Sequence, residues 1–391
     1  MPIRAAFVNS GLLGHGAFAG LMPAIVARMT DVDAVHIDLR DGLTFGDRVV
    51  RRALSVRLAP RTAMLDNVDV RRWRQELNSG WLAARRLAPL ERERAFDMFH
   101  FHTQATAYAS LGRMQRTPSI VSIDSTQQLA RLEAASPLGR ASYAPNVRHD
   151  GAVFRAAAAI VATSEWAARD LRANYPDCED KVRVLPFPVD VGVFGADWSE
   201  RRAARASAPG YRPRILFIGG DFVRKGGDDL LAAWRDGGFA DCAALDLVTD
   251  WPLAPDDVPA GVEVIAGVRP YTPQWLDLWR RADLFVVPTR HDAFGIVYEE
   301  AAAASLPVLA TAVNAVPEIV DDGRTGVLVK PGDRTALVSE MRRLLDSPQA
   351  RHQMGAAARE RVSARASVPA YASALESIVH RVVTHEAGQL V

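Results

Sequence analysis

One pattern constrains this chain more than any single motif. Short, nearly unbroken apolar runs recur along its 391 residues, separated by longer segments of helical period. In the first half the runs are 3–9, 35–39, 98–102, 120–123, 159–162 and 182–186. In the second they are 214–219, 246–248, 262–265, 284–287, 308–310 and 326–329. Helical periodicity marks 17–29, 166–175, 228–234, 273–281, 296–305 and 335–346. Strands apolar on both faces belong to parallel sheets that helices cover on each side. Twelve such strands fit two doubly wound α/β sheets better than one, and at about 150 residues per domain the length agrees.

The second series of strands restarts after WSERRAARASAPGYRPR (198–214), which is poor in apolar residues, carries Pro-Gly and Arg-Pro, and reads as a linker. The expected domains are therefore 1–205 and 206–369. The helix 370–391, beyond the break at Pro369, is expected to pack back on the first domain. Open parallel sheets bind ligands beyond the carboxyl ends of their strands. Two facing sheets would place a cleft between the domains, lined by strand-to-helix loops.

Composition narrows the partners. A hydrophobic content of 49%, a charged content of 24% and a net charge of +1 are those of a soluble globular enzyme. No nucleic-acid-binding module is recognisable, so no nucleic acid is expected. Cys178 and Cys242 stand far apart and form no metal-ligand spacing. No window approaches the ~20 apolar residues of a membrane span, and the N-terminus lacks the apolar block of a signal peptide. A cytoplasmic protein is the expectation. From Arg48 to Arg94, however, twelve arginines stand against five acidic residues, interleaved with Trp73 and Trp81. That segment reads either as a solvated helical pair with inward tryptophans or as a peripheral contact for anionic lipid, at the inner face of the cell membrane, or for an anionic acceptor.

Three strand-to-helix loops have the composition of a ligand site. GGDFVRKGGDDLL (219–231) sets Arg224 and Lys225 among four glycines, ahead of a helix start with free N–H groups. Such a charge pair is either solvated surface or a seat for a diphosphate. It is not a Walker A loop, because no Ser or Thr follows the lysine. PTRHDAFGIVYEEAAAASLPV (288–308) begins a helix near Phe294-Gly295, where first-turn amides can bind an anion. Glu300 suits a neutral sugar diol, whereas Glu299 points about 100° away and reads as structural or solvated. NSGLLGHGAFAG (9–20) brings Gly11, Gly14, His15 and Gly16 into one turn after the first strand, without the dinucleotide fingerprint. Close ligand approach and a simple tight turn remain equally open there.

The first two of these loops, within RILFIGGDFVRKGG and DAFGIVYEEA, together with LPVLATAVNAVPEIVDDGRTGVLVKPGD and VRVLPFPVDVGVF, resemble the motifs of the family 4 glycosyltransferases over roughly 159–333, while the residues before Val153 match only in pattern. The resemblance implies a GT-B architecture and a retaining, metal-independent transfer of sugar from a nucleotide-sugar to a hydroxyl of a glycan, lipid-linked or small-molecule acceptor. The first domain would hold the acceptor and the second the donor. The nucleotide-sugar is a co-substrate, so no cofactor is implied. Lys225, with Arg224, would neutralise the diphosphate leaving group. Amides of Phe294 and Gly295 would contact phosphate or sugar, Asp292 would hold sugar hydroxyls, and Glu300 would hold the ribose. Gly220, Ala293 and Ile296 complete the implied donor contacts.

This sequence departs from the pattern in three places. Asp292 replaces the family's first glutamate, Gly220 replaces an arginine, and Asp124 stands where a histidine is common. Asp124 and His102 are therefore the acceptor-side catalytic candidates, and a structural polar role is open for either. Two other readings stay admissible: another GT-B enzyme, such as a sugar-nucleotide epimerase, and a non-catalytic nucleotide- or carbohydrate-binding protein.

Overall fold

The computed structural model describes residues 2–11, 16–58 and 67–387, and both halves fold as six-stranded sheets whose paired strands are all parallel. The first sheet comprises β1 (Ile3–Asn9), β2 (Val32–Asp38), β3 (Met98–His102), β4 (Ser119–Ile123), β5 (Ala159–Ala162) and β6 (Val182–Val184), in the order β2-β1-β3-β4-β5-β6. The second comprises β7 (Arg214–Ile218), β8 (Ala244–Val248), β9 (Val262–Ile265), β10 (Leu284–Val287), β11 (Val308–Thr311) and β12 (Gly326–Val329), in the order β12-β11-β10-β7-β8-β9. Counted within its own half, this second order is 3-2-1-4-5-6, the doubly wound dinucleotide-fold arrangement.

The strands form where the apolar runs lie because both faces are covered. Every residue of β3, β4, β5, β10 and β11 is buried. β2 starts three residues earlier than its apolar run. It lies at the sheet edge, paired from Ile3↔Val32 onward, and its half-exposed VDA start carries no continuous apolar signal.

By contacts the chain divides into two units, Met1–Phe187 with Pro369–Val391, and Pro188–Val368. The terminal helix Val368–Ala387 packs on the first unit. Glu376 Oε1 accepts from the Thr30 and Asp31 amides at 2.7 and 3.1 Å, and the Tyr371 ring lies 5.8 Å from that of Phe18.

The segment expected to be a linker is a correction. Trp198–Ala206 is a helix of the second unit. Its one buried residue is Arg202, whose guanidinium donates to Ala282 O (2.7 Å), Ala304 O (2.7 Å), Ser305 O (3.0 Å) and Trp279 O (3.2 Å). These carbonyls end the helices Pro273–Arg281 and Ile296–Ala303, where the last turns have no intrahelical donors. A charged residue thus does here what an apolar one does elsewhere, and the composition concealed it. Segment 188–205 accordingly belongs with the second unit, not the first.

The arginine-rich segment forms two helices, Phe45–Leu54 and Arg71–Glu93. Trp73 is half-buried with its Nε1 3.4 Å from His149 Nδ1, but Trp81 is 48% exposed under the Arg85 guanidinium, 4.7 Å from its ring. Only one of the two tryptophans therefore faces inward.

Candidate functional site

In the second sheet the strand order reverses between β7 and β10, and the loops after these two strands meet. Thr289 Oγ1 donates to Arg224 O (3.1 Å) and His291 O (2.9 Å), Arg290 N donates to Arg224 O (2.9 Å), and Arg224 Nη1 donates to His291 O (2.8 Å). Two glycines permit this approach. Gly226 has φ +72°, and a Cβ there would overlap Pro288 O of the neighbouring loop. Gly295 has φ +79°, and a Cβ there would press on the Tyr298 ring.

The meeting loops collect the charged residues expected from sequence. Lys225 Nζ forms an ion pair with Asp292 Oδ2, and both side chains are only 12% exposed. Arg224 pairs with Asp221 at 3.0 Å and lies 3.9 Å from Asp292. Asp292, expected to hold sugar hydroxyls, is thus engaged by the lysine expected to hold phosphate. Gly295 caps the helix Ile296–Ala303, with Phe294 buried before it and Ala293 and Ile296 half-buried beside it. Gly220 is exposed, with open space around it.

Glu300 lies buried on the second turn of that helix, where it accepts from Tyr271 OH at 3.1 Å. Burial pushes its carboxyl up to about 7, opposed by the Tyr271 hydrogen bond and the Lys225 charge. Tyr271 is a participant the sequence reading missed. It has φ +63° and its ring lies 4.8 Å from that of Trp275, one turn into a Thr-Pro-capped helix. Glu299 is structural, not solvated: it is buried, and burial raises its carboxyl to about 7 against the charges of Arg365 and Arg361.

The first unit separates the two acceptor-side candidates. His102 ends β3 completely buried, its ring 4.1 Å from that of Phe18 and 5.5 Å from that of Phe187. Asp124, just after β4, lines a cavity of about 380 Å3 together with Arg72, Gln75, Gln104, Gln127 and Tyr143. A buried polar network lies behind this wall. Glu76 accepts from Arg72 Nε (3.0 Å), Gln127 Nε2 (2.7 Å) and Asn146 Nδ2 (2.6 Å), and the Tyr108 hydroxyl oxygen lies 3.3 Å from it. Asp150, its carboxyl pushed up to about 7 by burial, accepts from Gln127 N (2.8 Å), Tyr108 OH (2.8 Å) and Gln104 Nε2 (3.3 Å). A carboxylate can only accept, so Glu76 fixes which way the Gln127 amide points. Gln127 Oε1 then has no partner among the described residues. None of this network was expected from sequence, because its members are scattered from residue 72 to residue 150.

Gly11 lies after β1 with φ +54°, beside Arg40 and Asp38, and Gly16 opens the helix Gly16–Val26. Gly14 and His15 lie outside the described residues. Among the described residues there is no cluster of three or more His, Cys, Asp or Glu able to hold a metal ion, and no helix is long and apolar enough to cross a membrane.

Two units of this kind in one chain, the second with dinucleotide-fold order and a site at its switch point, define the GT-B class. The fold matches a sucrose-phosphate synthase from Thermosynechococcus elongatus with a TM-score of 0.70 at 18% identity, over 98% of this chain and 100% of that one. It also matches Anabaena HepE in complex with UDP and glucose, with a TM-score of 0.66 at 16% identity, over 97% and 100%. Residues 47–193 match Glycosyltransferase Family 4 and residues 262–361 match Glycosyl transferases group 1, so the chain belongs to the family 4 glycosyltransferases. Among curated relatives, a D-inositol 3-phosphate glycosyltransferase of Arthrobacter sp. (strain FB24) is 26% identical over 276 residues, 67% of this chain and 65% of that protein. An alpha-maltose-1-phosphate synthase of Mycolicibacterium smegmatis is 29% identical over 68% of this chain and 74% of that protein. The alignment thus spans just under two thirds of the Arthrobacter relative's length.

Proposed function

We propose that this protein transfers a sugar from a nucleotide-sugar to a hydroxyl acceptor, with retention at the anomeric carbon and without a metal ion. The observation that carries the reading is the convergence of Lys225, from the loop after β7, and Glu300, from the helix after β10, at the strand-order reversal of the second sheet. Lys225 and Arg224 bind the diphosphate, with Lys225 exchanging its contact with Asp292 for phosphate oxygens. Amides of Phe294 and Gly295 face the phosphate or sugar, and Glu300, held by Tyr271, takes the ribose diol. Asp292, released from the lysine, accepts from sugar hydroxyls. A UDP-sugar fits, since the structurally similar HepE was crystallised with UDP-glucose.

In the transfer, the bond from the anomeric carbon to the diphosphate oxygen breaks and a bond to the acceptor oxygen forms on the same face. The acceptor proton leaves to the departing phosphate oxygen or to Asp124. Lys225 acts by stabilising charge that develops on the leaving group, a contribution worth about 10²–10³ in turnover for one well-placed donor. On the acceptor side, Asp124 and Gln127 line a wall of hydrogen-bonding groups suited to a polyol. The curated relatives include one named for inositol 3-phosphate.

The test is thermal stabilisation by UDP-, GDP-, ADP- and dTDP-sugars, followed by product detection with the best donor. Failure of every nucleotide-sugar to stabilise the protein would sink the donor site. Lys225→Ala is expected to lower kcat by about 10²-fold or more; unchanged turnover removes Lys225 from the mechanism.

A further inference from the structure

The first unit holds a second cavity of about 380 Å3, distinct in chemistry from the one beside Asp124. Arg48, Arg51, Arg52 and Ser55 line one side, and Gln75 and Asn78 line the other. The spacing explains the arrangement. Positions 48, 51, 52 and 55 follow i, i+3, i+4, i+7, which places them on one face of the helix Phe45–Leu54 and its C-cap. Positions 75 and 78 are likewise one turn apart on the helix Arg71–Glu93. Two clamps hold these helices together: Arg85 Nη2 donates to both carboxylate oxygens of Asp47 at 2.7 Å, and Gln75 Nε2 donates to Ser55 Oγ at 3.0 Å.

The electrostatics of this groove are one-sided. No carboxylate lines it, and among the described residues the guanidiniums of Arg48, Arg51 and Arg52 make no ion pair or hydrogen bond. Arginines elsewhere in the same segment are paired: Arg72 with Glu76, Arg74 with Asp69, and Arg85 with Asp47. Like charges one turn apart cost a few tenths of a kcal/mol each, so three unpartnered guanidiniums on one helix face are an arrangement that an anion would relieve. Asn78 is buried in the wall and adds an amide, and Ser55 adds a hydroxyl. Planar guanidinium forks match tetrahedral phosphate oxygens better than any other side chain.

We propose that this groove is a binding site for a phosphate group, with Arg48, Arg51 and Arg52 donating to its oxygens and Ser55 and Asn78 completing the shell. The inference does not depend on the donor-site reading. Two sources present the same chemistry: a soluble phosphate ester and the headgroup of an anionic phospholipid. In the second case Phe45 and Val49, 78% and 49% exposed on the adjoining face of the same helix, would enter the lipid.

The experiment uses the full chain, with glycerol 3-phosphate as the soluble probe and vesicles of phosphatidylcholine with and without phosphatidylglycerol as the lipid probe. The triple variant Arg48→Gln/Arg51→Gln/Arg52→Gln is compared with a control of equal charge loss, Arg116→Gln/Arg131→Gln/Arg148→Gln. Wild type and control are expected to bind one of the probes, and the triple variant to bind it at least about tenfold more weakly. Each single variant should lose part of that affinity, which keeps the test valid if the triple variant folds poorly. Saturable binding of glycerol 3-phosphate assigns the soluble source, and binding confined to phosphatidylglycerol vesicles assigns the lipid. Equal binding by the triple variant and the control, or no binding of either probe by wild type, overturns the proposal. Stabilisation by nucleotide-sugar, measured on the same samples, should not change in the triple variant. That readout separates failure here from failure of the donor site.

Discussion

Glu300 shows how burial gives one carboxyl a role that its position alone does not define. With its ionisation raised to about 7, the side chain is largely an O–H donor below neutrality and acceptor-only above it. On the proposed assignment a ribose diol would donate to it, so donor binding would favour the ionised form and release a proton. The dissociation constant of a nucleotide-sugar should therefore fall as pH rises from about 6 to about 8, by at most about tenfold per unit. Glu300→Gln should flatten that dependence while weakening binding overall. Isothermal titration across this range with both proteins checks it, and a pH slope that persists in the variant would assign the titration elsewhere.

Among elements, the helix Trp198–Ala206 carries the clearest energetic prediction. Arg202 satisfies four carbonyls at two helix ends, and each buried acceptor left without a donor costs about 1–3 kcal/mol. Arg202→Met keeps most of the bulk and removes every donor, so it should lower unfolding stability by about 3 kcal/mol or more. Arg202→Lys should recover only part, because one ammonium cannot reproduce the planar fork. Urea titrations measure both, and a neutral Arg202→Met would mean that water reaches those carbonyls. This helix also marks where sequence stops being legible. Ten of the twelve strands begin within one residue of their apolar runs, because burial on both faces writes itself directly into composition. Helix 198–206 went unread since its buried face is a charge. Of the groups in the proposed donor site, Lys225, Asp292 and Glu300 were named from loop chemistry and family resemblance, and Tyr271 was not. It reaches Glu300 from 29 positions away through a left-handed backbone turn that no local pattern announces. The Glu76–Asp150 network was invisible for the same reason: its order exists only after four helices have packed.

At the scale of the whole molecule, the groups assigned to the nucleotide-sugar lie between Gly220 and Glu300, entirely within the second unit. Hydrogen exchange with and without the best nucleotide-sugar should show protection concentrated in the peptides spanning 219–227, 271–275 and 288–300. Protection appearing first at 103–127 would move the nucleotide to the other sheet. The connections between the units carry a further consequence. The chain enters the second unit at Pro188 and leaves it at Val368, and just inside these points Val189 N donates to Ala366 O at 2.8 Å while Val189 bridges to Ser367. The second unit is therefore an insertion whose two ends are pinned side by side, the arrangement in which a segment can be exchanged without stretching its host. A different nucleotide-binding cassette with similarly adjacent ends could be spliced between 187 and 369, so that donor choice becomes a replaceable part of the molecule.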